Sequence, residues 1–250
     1  MNLYKKLGVL ILFYSQAFLS ESFEDYCVKK TDEQFNSVFD YQVDMIVKLD
    51  IPAFRMPKKK YKVYFKQPNK IKVKARGFGL LPKTGLFTSP NDNFDNLKNL
   101  KLSSFKDPNN LDDIIIVGDL IVDSLKLEMP NEYSRLTFKP TVEVKIDTSS
   151  WVIKNVTTKL DTLKLFQINN FYDLYEGKYY MPKESIVKYY IKDKELFNWI
   201  NKDASNIMGK GEMSNKNNSI VEGTIYVKYK QYIINKGLED SVFDWGIIIN

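Results

Sequence analysis

Apolar side chains recur at every second position in one stretch of this chain after another. In the clearest stretch polar residues fill most of the intervening positions, and the apolar members are Tyr41, Val43, Met45, Val47, Leu49 and Ile51. A period of two is the pattern of a β-strand with one buried and one solvated face. Two further stretches, 61–65 and 71–75, alternate in the same way with lysines opposite. Together the three predict an antiparallel meander with one apolar face.

The alternation returns later and predicts strands over residues 113–122, 135–138, 142–146, 151–156, 164–171, 185–191 and 220–234. Three segments predict short helices instead. They are a capping box at Thr31-Asp-Glu-Gln34, a segment at 89–100 with Pro90 in its first turn, and a segment at 193–209 with apolar residues at helical spacing. We therefore expect a mainly β fold: one large curved antiparallel sheet with about three short helices packed on its concave, apolar side.

The composition excludes most catalytic chemistry. The chain has no histidine and one cysteine, which removes Ser-His-Asp and Cys-His mechanisms, histidine-ligated metals and an intramolecular disulfide. Two carboxylate pairs, Asp112-Asp113 and Glu239-Asp240, remain, but adjacent acids on a strand point to opposite faces. The thiol of Cys27 stands beside acidic residues, which raise a thiol pKa. We predict a protein that is not an enzyme, with no catalytic residue, no metal and no cofactor.

The N-terminus has the pattern of an export signal. Lys5 and Lys6 precede an apolar stretch that is too short to span a bilayer. Cleavage is expected after Ala17 or Ser22, which divides the chain into a signal peptide at 1–22 and a single domain at 23–250. Export without disulfides favours a bacterial periplasm. An uncleaved membrane anchor is the alternative, and two sequons at Asn155 and Asn217 keep a eukaryotic secretory route open.

The apolar face of the predicted sheet needs a cover. Three short helices cover a curved sheet only in part, which leaves a cavity that suits an acyl chain. A core filled by the protein's own side chains is the alternative interpretation.

A basic run is the second candidate for binding. Its members, on two adjacent strands and their flanks, are Lys58, Lys59, Lys60, Lys62, Lys66, Lys70, Lys72, Lys74 and Arg76. Such a run attracts anionic headgroups at a membrane surface, or it is a solvated outer face that keeps strand edges from pairing. Nucleic acid is not expected as a partner of an exported chain.

The order of these segments and four stretches within them resemble those of a known protein family. The stretches are Val63-Tyr-Phe-Lys-Gln-Pro-Asn-Lys-Ile-Lys-Val73, Trp151-Val-Ile153, Tyr172-Asp-Leu-Tyr175 and Tyr180-Met-Pro182. Over residues 31–235 the chain resembles the outer-membrane lipoprotein carrier family, LolA/LolB-like. The resemblance implies a half-barrel whose mouth is plugged by helices and whose cavity holds acyl chains. It also implies an arginine before the hairpin proline that ties the lid helices to the barrel, and here that residue is Gln67. The family's short Asp-Gly-Lys hairpin after the third strand is replaced by residues 77–108, so we expect a divergent member.

The predicted function is a monomeric periplasmic carrier that shelters acyl chains of a lipoprotein or lipid, as in outer-membrane lipoprotein sorting. The expected cavity residues are Met45, Val47, Leu49, Val63, Phe65, Ile71 and Val73 on the wall, with Phe94 and Leu97 in a lid and Gln67 as the latch position. Membrane-surface contact is expected through the basic strands at 58–76. The alternative is an envelope structural or sensor protein that has the same fold and a packed interior.

Overall fold

A computed structural model describes residues 22–50, 57–75, 93–103, 110–121, 140–191 and 221–244. Within them it has one α-helix, α1 (Phe23–Asn36), ten strands and a single 3₁₀ turn at Asp240–Val242. The strands are β1 (Asp40–Asp50), β2 (Lys59–Lys66), β3 (Lys70–Ala75), β4 (Leu97–Leu102), β5 (Asp113–Leu120), β6 (Pro140–Asp147), β7 (Val152–Leu160), β8 (Leu163–Tyr175), β9 (Tyr179–Ile191) and β10 (Val221–Ile234).

All ten strands form one antiparallel sheet in the order β3-β2-β1-β10-β9-β8-β7-β6-β5-β4. The first and last strands along the chain pair with each other at Val47↔Val227 and join a three-stranded meander to a seven-stranded one. The sheet is open, with β3 and β4 as its outer strands among the described residues. The predicted fold class is therefore confirmed.

The sheet is curved around α1. The first turn of α1 reaches β4, where Glu24 Oε1 accepts a hydrogen bond from the backbone N–H of Leu102 at 3.0 Å. Its last turn reaches β2, where the ring of Phe35 lies edge-on to Phe65 with centroids 5.5 Å apart. Eight strand-to-strand steps separate β4 from β2, which is about 38 Å in a flat sheet. A helix of 14 residues is only about 21 Å long, so the sheet has to bend to meet both ends.

The face towards α1, called the inner face below, carries the core. Along β1 the burial alternates as predicted: Val43, Met45 and Val47 have no exposed surface, whereas Lys48 and Asp50 are exposed. The hydrophobic effect on this alternating set fixes which face of the strand turns inward, because a slip of one residue would expose every apolar side chain.

Helix α1 begins earlier than predicted. Ser22 is its N-cap, and its side chain accepts a hydrogen bond from Asp25 N at 3.1 Å. Acidic residues in the first turn complement the helix dipole. The capping box at Thr31 lies inside the helix, where Thr31 Oγ1 donates to Val28 O at 2.7 Å. The prediction of a start at Thr31 is wrong because the better cap stands nine residues upstream.

The predicted helix at 89–100 is wrong over its described part. Phe94 lies in a turn, and Leu97 opens strand β4. Asn99 has a φ of 56°, and the β4–β5 register shifts between Lys98 and Lys101. This bulge adds one residue to the strand, so Leu97 and Leu100 face the same side at a spacing that mimics a helix. The helix predicted at 193–209 and the strand at 135–138 lie outside the described residues.

Candidate ligand-binding cavity

A cavity of about 120 Å³ lies between α1 and the inner face of the sheet. The helix wall is one face of α1, and most of the sheet wall belongs to β7–β10. The lining residues are Thr31, Gln34, Phe35, Val38, Tyr41, Asn93, Trp151, Val152, Ile153, Val156, Ile168, Asn170, Tyr172, Tyr180, Met181, Pro182, Ser185, Tyr229 and Tyr232. An apolar cavity of about 150 Å³ is known to bind benzene, so this one is large enough for a guest of nearly that size.

Strand β7 supplies an apolar part of the wall. Val152 and Ile153 are adjacent in sequence, yet both are buried and both line the cavity, where a bulge interrupts the β6–β7 register. Trp151 precedes them with a φ of 53°, a conformation that is uncommon for a bulky residue. Its ring meets that of Tyr26 edge-on with centroids 5.7 Å apart. Trp151 therefore joins α1 to β7 at the edge of the cavity.

Tyrosines line the part of the wall nearest β10. Tyr232 is their centre, with its ring centroid 4.9 Å from that of Tyr175, 5.9 Å from Tyr41 and 6.3 Å from Tyr229. Its hydroxyl donates to Pro182 O at 2.9 Å. Tyr rings in this arrangement give apolar contact area, and the Tyr232 hydroxyl is paired, as buried Tyr hydroxyls usually are.

These phenols are neutral at physiological pH. Burial raises the pKa of Tyr229 to about 12, although a hydrogen bond with Ser185 acts in the opposite direction. Burial also raises the pKa values of Tyr41, Tyr172 and Tyr232, with nearby phenols adding to the effect. Desolvation disfavours the charged phenolate in each case.

The amides and hydroxyls of the sheet wall are hydrogen-bonded to one another. Ser185 Oγ donates to Asn170 Oδ1 at 2.7 Å, and Asn170 Nδ2 donates to Ile153 O at 3.1 Å. The hydroxyl of Tyr172 donates to the same carbonyl at 3.1 Å. This row is therefore satisfied from within the wall, as buried polar groups usually are.

Gln34 is the exception. Among the described residues, its Nε2 is the one buried side-chain nitrogen or oxygen without a hydrogen-bond partner. It belongs to the helix wall of the cavity together with Thr31 and Phe35, which share one face of α1 by their spacing, and Val38 lines the cavity just after the helix ends. Leaving such a donor unpaired costs about 1–3 kcal/mol.

The described lining of the cavity is electrically neutral. All of these described residues are uncharged at neutral pH, including the phenols, and none of them is Asp, Glu, Lys or Arg. Within the described ranges no group of three or more His, Cys, Asp or Glu side chains is arranged to hold a metal ion. In the same part of the chain, no helix combines the length and the apolar composition needed to cross a membrane.

The predicted wall residues lie beside this cavity and do not line it. Met45, Val47 and Val63 have no exposed surface, and Phe65 and Leu49 are nearly as buried. All five belong to one hydrophobic cluster, against which Ile71 and Val73 pack as half-buried neighbours. Their contact with a lipid stays a prediction.

The predicted lid residues also belong to the core. Phe94 is buried in the cluster, and Leu97 packs against it from edge strand β4. The covering element in the described structure is α1, and sequence reasoning missed its role because the helix was placed too late. Three stretches that carry the family resemblance, Trp151-Val-Ile153, Tyr172 to Tyr175 and Tyr180 to Pro182, do contribute to the cavity, so a signal for it was present.

Gln67 lies where the resemblance implies a latch. Its Nε2 donates to Asn36 Oδ1 at 3.1 Å and to Val38 O at 3.3 Å. Its backbone N–H donates to Phe39 O at 2.8 Å. The β2–β3 turn is thereby hydrogen-bonded to the end of α1 and to the residues that follow it.

The basic strands are partly covered by the chain's own C-terminal segment. Lys66 Nζ donates to Leu238 O at 2.8 Å and forms an ion pair with Asp240 at 2.7 Å. Lys70 Nζ is 3.1 Å from the same carboxylate, and Lys72, itself buried, donates to Val242 O. These three lysines therefore contact the chain itself and help to hold residues 238–242 against the β2–β3 strands. Lys58 and Lys60 remain exposed, and membrane contact through them stays a prediction.

No known family model matches the chain, and no curated protein sequence does so either. Solved structures do match. A DUF1329 family protein from Desulfovibrio piger is similar with a TM-score of 0.50 and 8% identity, over 88% of this chain and 97% of that one. A LolA superfamily protein from Nitrosomonas europaea has a TM-score of 0.46 and 12% identity, over 89% of this chain and 97% of that one. A putative outer membrane lipoprotein-sorting protein domain from Vibrio parahaemolyticus has a TM-score of 0.48 and 11% identity, over 87% of this chain and 95% of that one. At these identities the likeness concerns the fold alone, and of the three structures the DUF1329 protein, at a TM-score of 0.50, supports it.

Proposed function

We propose that this protein is a non-enzymatic periplasmic carrier that shelters an acyl chain of a lipoprotein or lipid in the cavity beneath α1. The observation that carries the proposal is the lining itself. Its described residues are mostly apolar or aromatic, none of them carries a charge at neutral pH, and α1 forms the wall opposite the sheet. Charged headgroups would lose hydration in such a site without gaining a counter-charge, whereas an alkyl chain gains about 0.8 kcal/mol for each buried methylene.

The volume of the cavity limits the size of the ligand that it can hold in the described conformation. A volume of about 120 Å³ accommodates a segment of one chain and not several whole chains. A larger load requires α1 to move away from the sheet. Two described side-chain hydrogen bonds between α1 and the sheet region lie at its ends, at Glu24–Leu102 and at Gln67–Asn36. In this proposal α1 has the lid role that the sequence assigned to Phe94 and Leu97.

Lipid extraction from the purified protein tests the proposal. The protein is exported by its own signal, purified without detergent and examined by native mass spectrometry before and after extraction with organic solvent. We expect adducts that disappear on extraction and yield fatty acyl species. A spectrum of the unliganded mass alone would contradict the proposal.

A matched pair of variants assigns any lipid to the cavity. Val156→Phe adds volume inside the cavity, whereas Val117→Phe makes the same change at a half-buried position of β5 outside it. We expect the first variant to lose the adducts and the second to keep them. Equal loading of both variants would show that the lipid binds elsewhere.

The second candidate function is an envelope structural or sensor protein with the same fold. The tight packing of Met45, Val47 and Val63, none of which has exposed surface, favours it for the β1–β3 part of the core. Under this alternative, cross-linking in intact cells captures a protein partner, and the purified protein carries no lipid.

A further inference from the structure

The sheet face opposite the cavity carries exposed lysines on four adjacent strands, β3, β2, β1 and β10. On β2 and β3 the register pairs Val63 with Val73, which belong to the core side, so the residues next to them in sequence point to the outer side. The outer side of these four strands is called the basic face below. Its exposed cations are Lys48, Lys60, Lys70, Lys74, Lys228 and Lys230.

One cross-strand pair on this face is unfavourable for the fold. Lys62 lies directly opposite Lys74 in the β2–β3 register, and like charges at opposed positions destabilise a sheet. Lys62 Nζ is 3.4 Å from Asp44 Oδ1, whereas Lys74 Nζ lies over the ring of Tyr64, 5.1 Å from its centroid. The cost of placing these two lysines together is explained if an anion outside the chain completes the pair.

Carboxylates of the chain offset other lysines of the basic face in part. Lys48 Nζ is 3.6 Å from Asp50, and Lys228 Nζ is 3.8 Å from Glu184. Both pairs are open to solvent, and exposed ion pairs are weak. An anionic partner therefore competes with them easily.

The segment after β10 crosses the same face. Lys70 Nζ is 3.1 Å from Asp240 Oδ1. Lys72, which lies on the outer side by its register, is nevertheless buried and donates to Val242 O. The chain that follows Asp244 therefore starts on the basic face. It lies outside the described residues, and its sequence is Trp245-Gly-Ile-Ile-Ile-Asn250.

Lysines beside an apolar segment with a tryptophan suit a lipid surface. Lysine is a compact, hydrated charge that is attracted to anionic headgroups without a fixed geometry, and tryptophan is enriched at the level of the headgroups. A partner that is recognised through bidentate contacts to carboxylates or phosphates favours arginine, yet all six exposed cations are lysines. A polybasic patch and an inserted apolar group together hold a protein at a membrane more firmly than either one alone.

We propose that the basic face and residues 245–250 together form a docking surface for an anionic lipid bilayer. The lysine ammonium groups contact headgroup phosphates, while Trp245 and the isoleucines that follow enter the interface. The cavity lies on the opposite side of the sheet, beneath α1. Docking is thus separate from what the cavity holds and goes beyond the proposed carrier function.

Vesicle flotation tests the proposal on the protein as exported and processed by its own signal. Vesicles of phosphatidylcholine alone are compared with vesicles that also contain phosphatidylglycerol. We expect binding to the mixed vesicles, weakened by added salt because salt screens exposed charges. Lys60→Gln combined with Lys74→Gln should weaken this binding about fivefold for each charge removed.

A second pair of variants controls for net charge. Lys98 and Lys101 are exposed on β4, at the far edge of the sheet from β3, and changing both to Gln removes the same charge from another surface. This variant should bind the mixed vesicles like the wild type. An equal loss in the two double variants would overturn the proposal, because net charge alone would then explain the binding.

Tryptophan fluorescence tests the part assigned to residues 245–250. We expect the emission of the wild type to shift to shorter wavelength when the mixed vesicles are added. Trp245→Phe keeps an apolar ring, so it should bind but lose this shift. Trp245→Ser combined with Ile248→Ser should bind more weakly. A shift that survives in Trp245→Phe would overturn the insertion of this segment.

The remaining outcomes separate docking from the carrier function. Equal binding to both kinds of vesicle, or to neither, overturns the docking surface and leaves the carrier function standing. Binding of polyglutamate without binding of either vesicle assigns the basic face to an acidic protein and also overturns the proposal. Val156→Phe, which fills the cavity, should bind the mixed vesicles like the wild type. Loss of binding in that variant would show that the vesicles are held through the cavity and not through the basic face.

Discussion

Gln67 Nε2 lies 3.1 Å from Asn36 Oδ1, so the β2–β3 turn is hydrogen-bonded to the last residue of α1. The same amide donates to Val38 O two residues further on. The resemblance implies an arginine at this position, and a guanidinium would make charge-assisted contacts to the same oxygens. Neutral hydrogen bonds are about half as strong as charge-assisted ones. The C-terminal end of α1 is therefore held to the β2–β3 turn by neutral side-chain hydrogen bonds, which are weaker than charge-assisted ones.

Removing this amide is expected to loosen α1. Gln67→Ala deletes both side-chain hydrogen bonds and should lower the free energy of unfolding by about 1–2 kcal/mol. Gln67→Arg should be neutral or stabilising, because a cation is favourable beside carbonyls at a helix C-terminus. Urea unfolding followed by circular dichroism measures both changes.

A double-mutant cycle with Asn36→Ala checks that the contact itself is responsible. Residues that share a hydrogen bond are expected to show a coupling free energy of at least about 0.5 kcal/mol. If the effects of Gln67→Ala and Asn36→Ala simply add, the contact between them contributes nothing and the latch interpretation is wrong.

The sheet was predictable because its signal is local and repeated. On β1, alternation from Tyr41 to Leu49 gives both the strand and its inner face, and the structure buries the predicted side chains. The helix prediction at 89–100 failed because one short pattern has two physical interpretations. A bulge at Asn99 gives Leu97 and Leu100 a three-residue spacing that a helix would also give. Bulges depend on cross-strand pairing, which a single chain segment does not reveal.

The cavity was less predictable than the fold. The sequence identifies apolar faces, and those of β1–β3 have the strongest alternation, yet most of their side chains belong to the hydrophobic cluster and not to the cavity lining. The hollow occurs where tyrosines and small polar residues such as Ser185 and Asn170 replace aliphatic ones. Whether such side chains fill a space depends on distances between elements that are remote in sequence, and hydrophobic periodicity contains no such distance.

Asp40 is expected to be a strong contributor to stability. Its buried carboxylate accepts hydrogen bonds from the backbone N–H groups of Lys236, Gly237 and Leu238 at 3.0–3.1 Å. These bonds tie the start of β1 to the segment that follows β10. Asp40→Asn places an amide NH₂ against N–H donors and should lower the free energy of unfolding by about 2–4 kcal/mol. Asp50→Asn, at the exposed end of the same strand, is the control and should change it by less than about 0.5 kcal/mol. Equal effects of the two variants would contradict this role.

The buried phenols predict a loss of stability in alkali. The folded state holds the protons of Tyr41, Tyr229 and Tyr232 more tightly than the unfolded chain does, because burial raises their pKa values above the usual 10.0. A raised folded-state pKa gives stability that is complete below the unfolded-state value and is lost as the pH rises through the folded-state value. The free energy of unfolding should therefore fall from about pH 10 upwards. Urea titrations at a series of alkaline pH values measure the slope, which Tyr41→Phe should reduce. A slope that Tyr41→Phe leaves unchanged would show that this phenol does not contribute.

Cys27 is expected to be unreactive while the protein is folded. The thiol is fully buried, and burial, with a smaller effect from Glu24, raises its pKa to about 11. The thiolate is the reactive form, so labelling by iodoacetamide near neutral pH should be slow until denaturant unfolds the chain. Fast labelling of the native protein, measured by mass spectrometry, would show that α1 leaves the sheet readily.

Packing around Gly118 gives a test of the bulge in β4, which made the helix prediction at 89–100 wrong. A Cβ placed on Gly118 would lie 2.8 Å from Leu100 Cδ2 and 3.0 Å from Leu97 Cβ, so both leucines of the bulged strand press on this glycine. Gly118→Ala should lower the free energy of unfolding by about 1–3 kcal/mol through overpacking. Leu100→Val removes the nearer of the two contacting atoms and should restore part of the loss in the double variant.

Gly177→Ala is the matched control. Gly177 has a φ of +64° and open space around its Cβ position, so alanine there is strained by its backbone alone. Leu100→Val should therefore not restore the stability of Gly177→Ala. Rescue of both glycine variants, or of neither, would place the origin of the Gly118 effect outside the contact with β4.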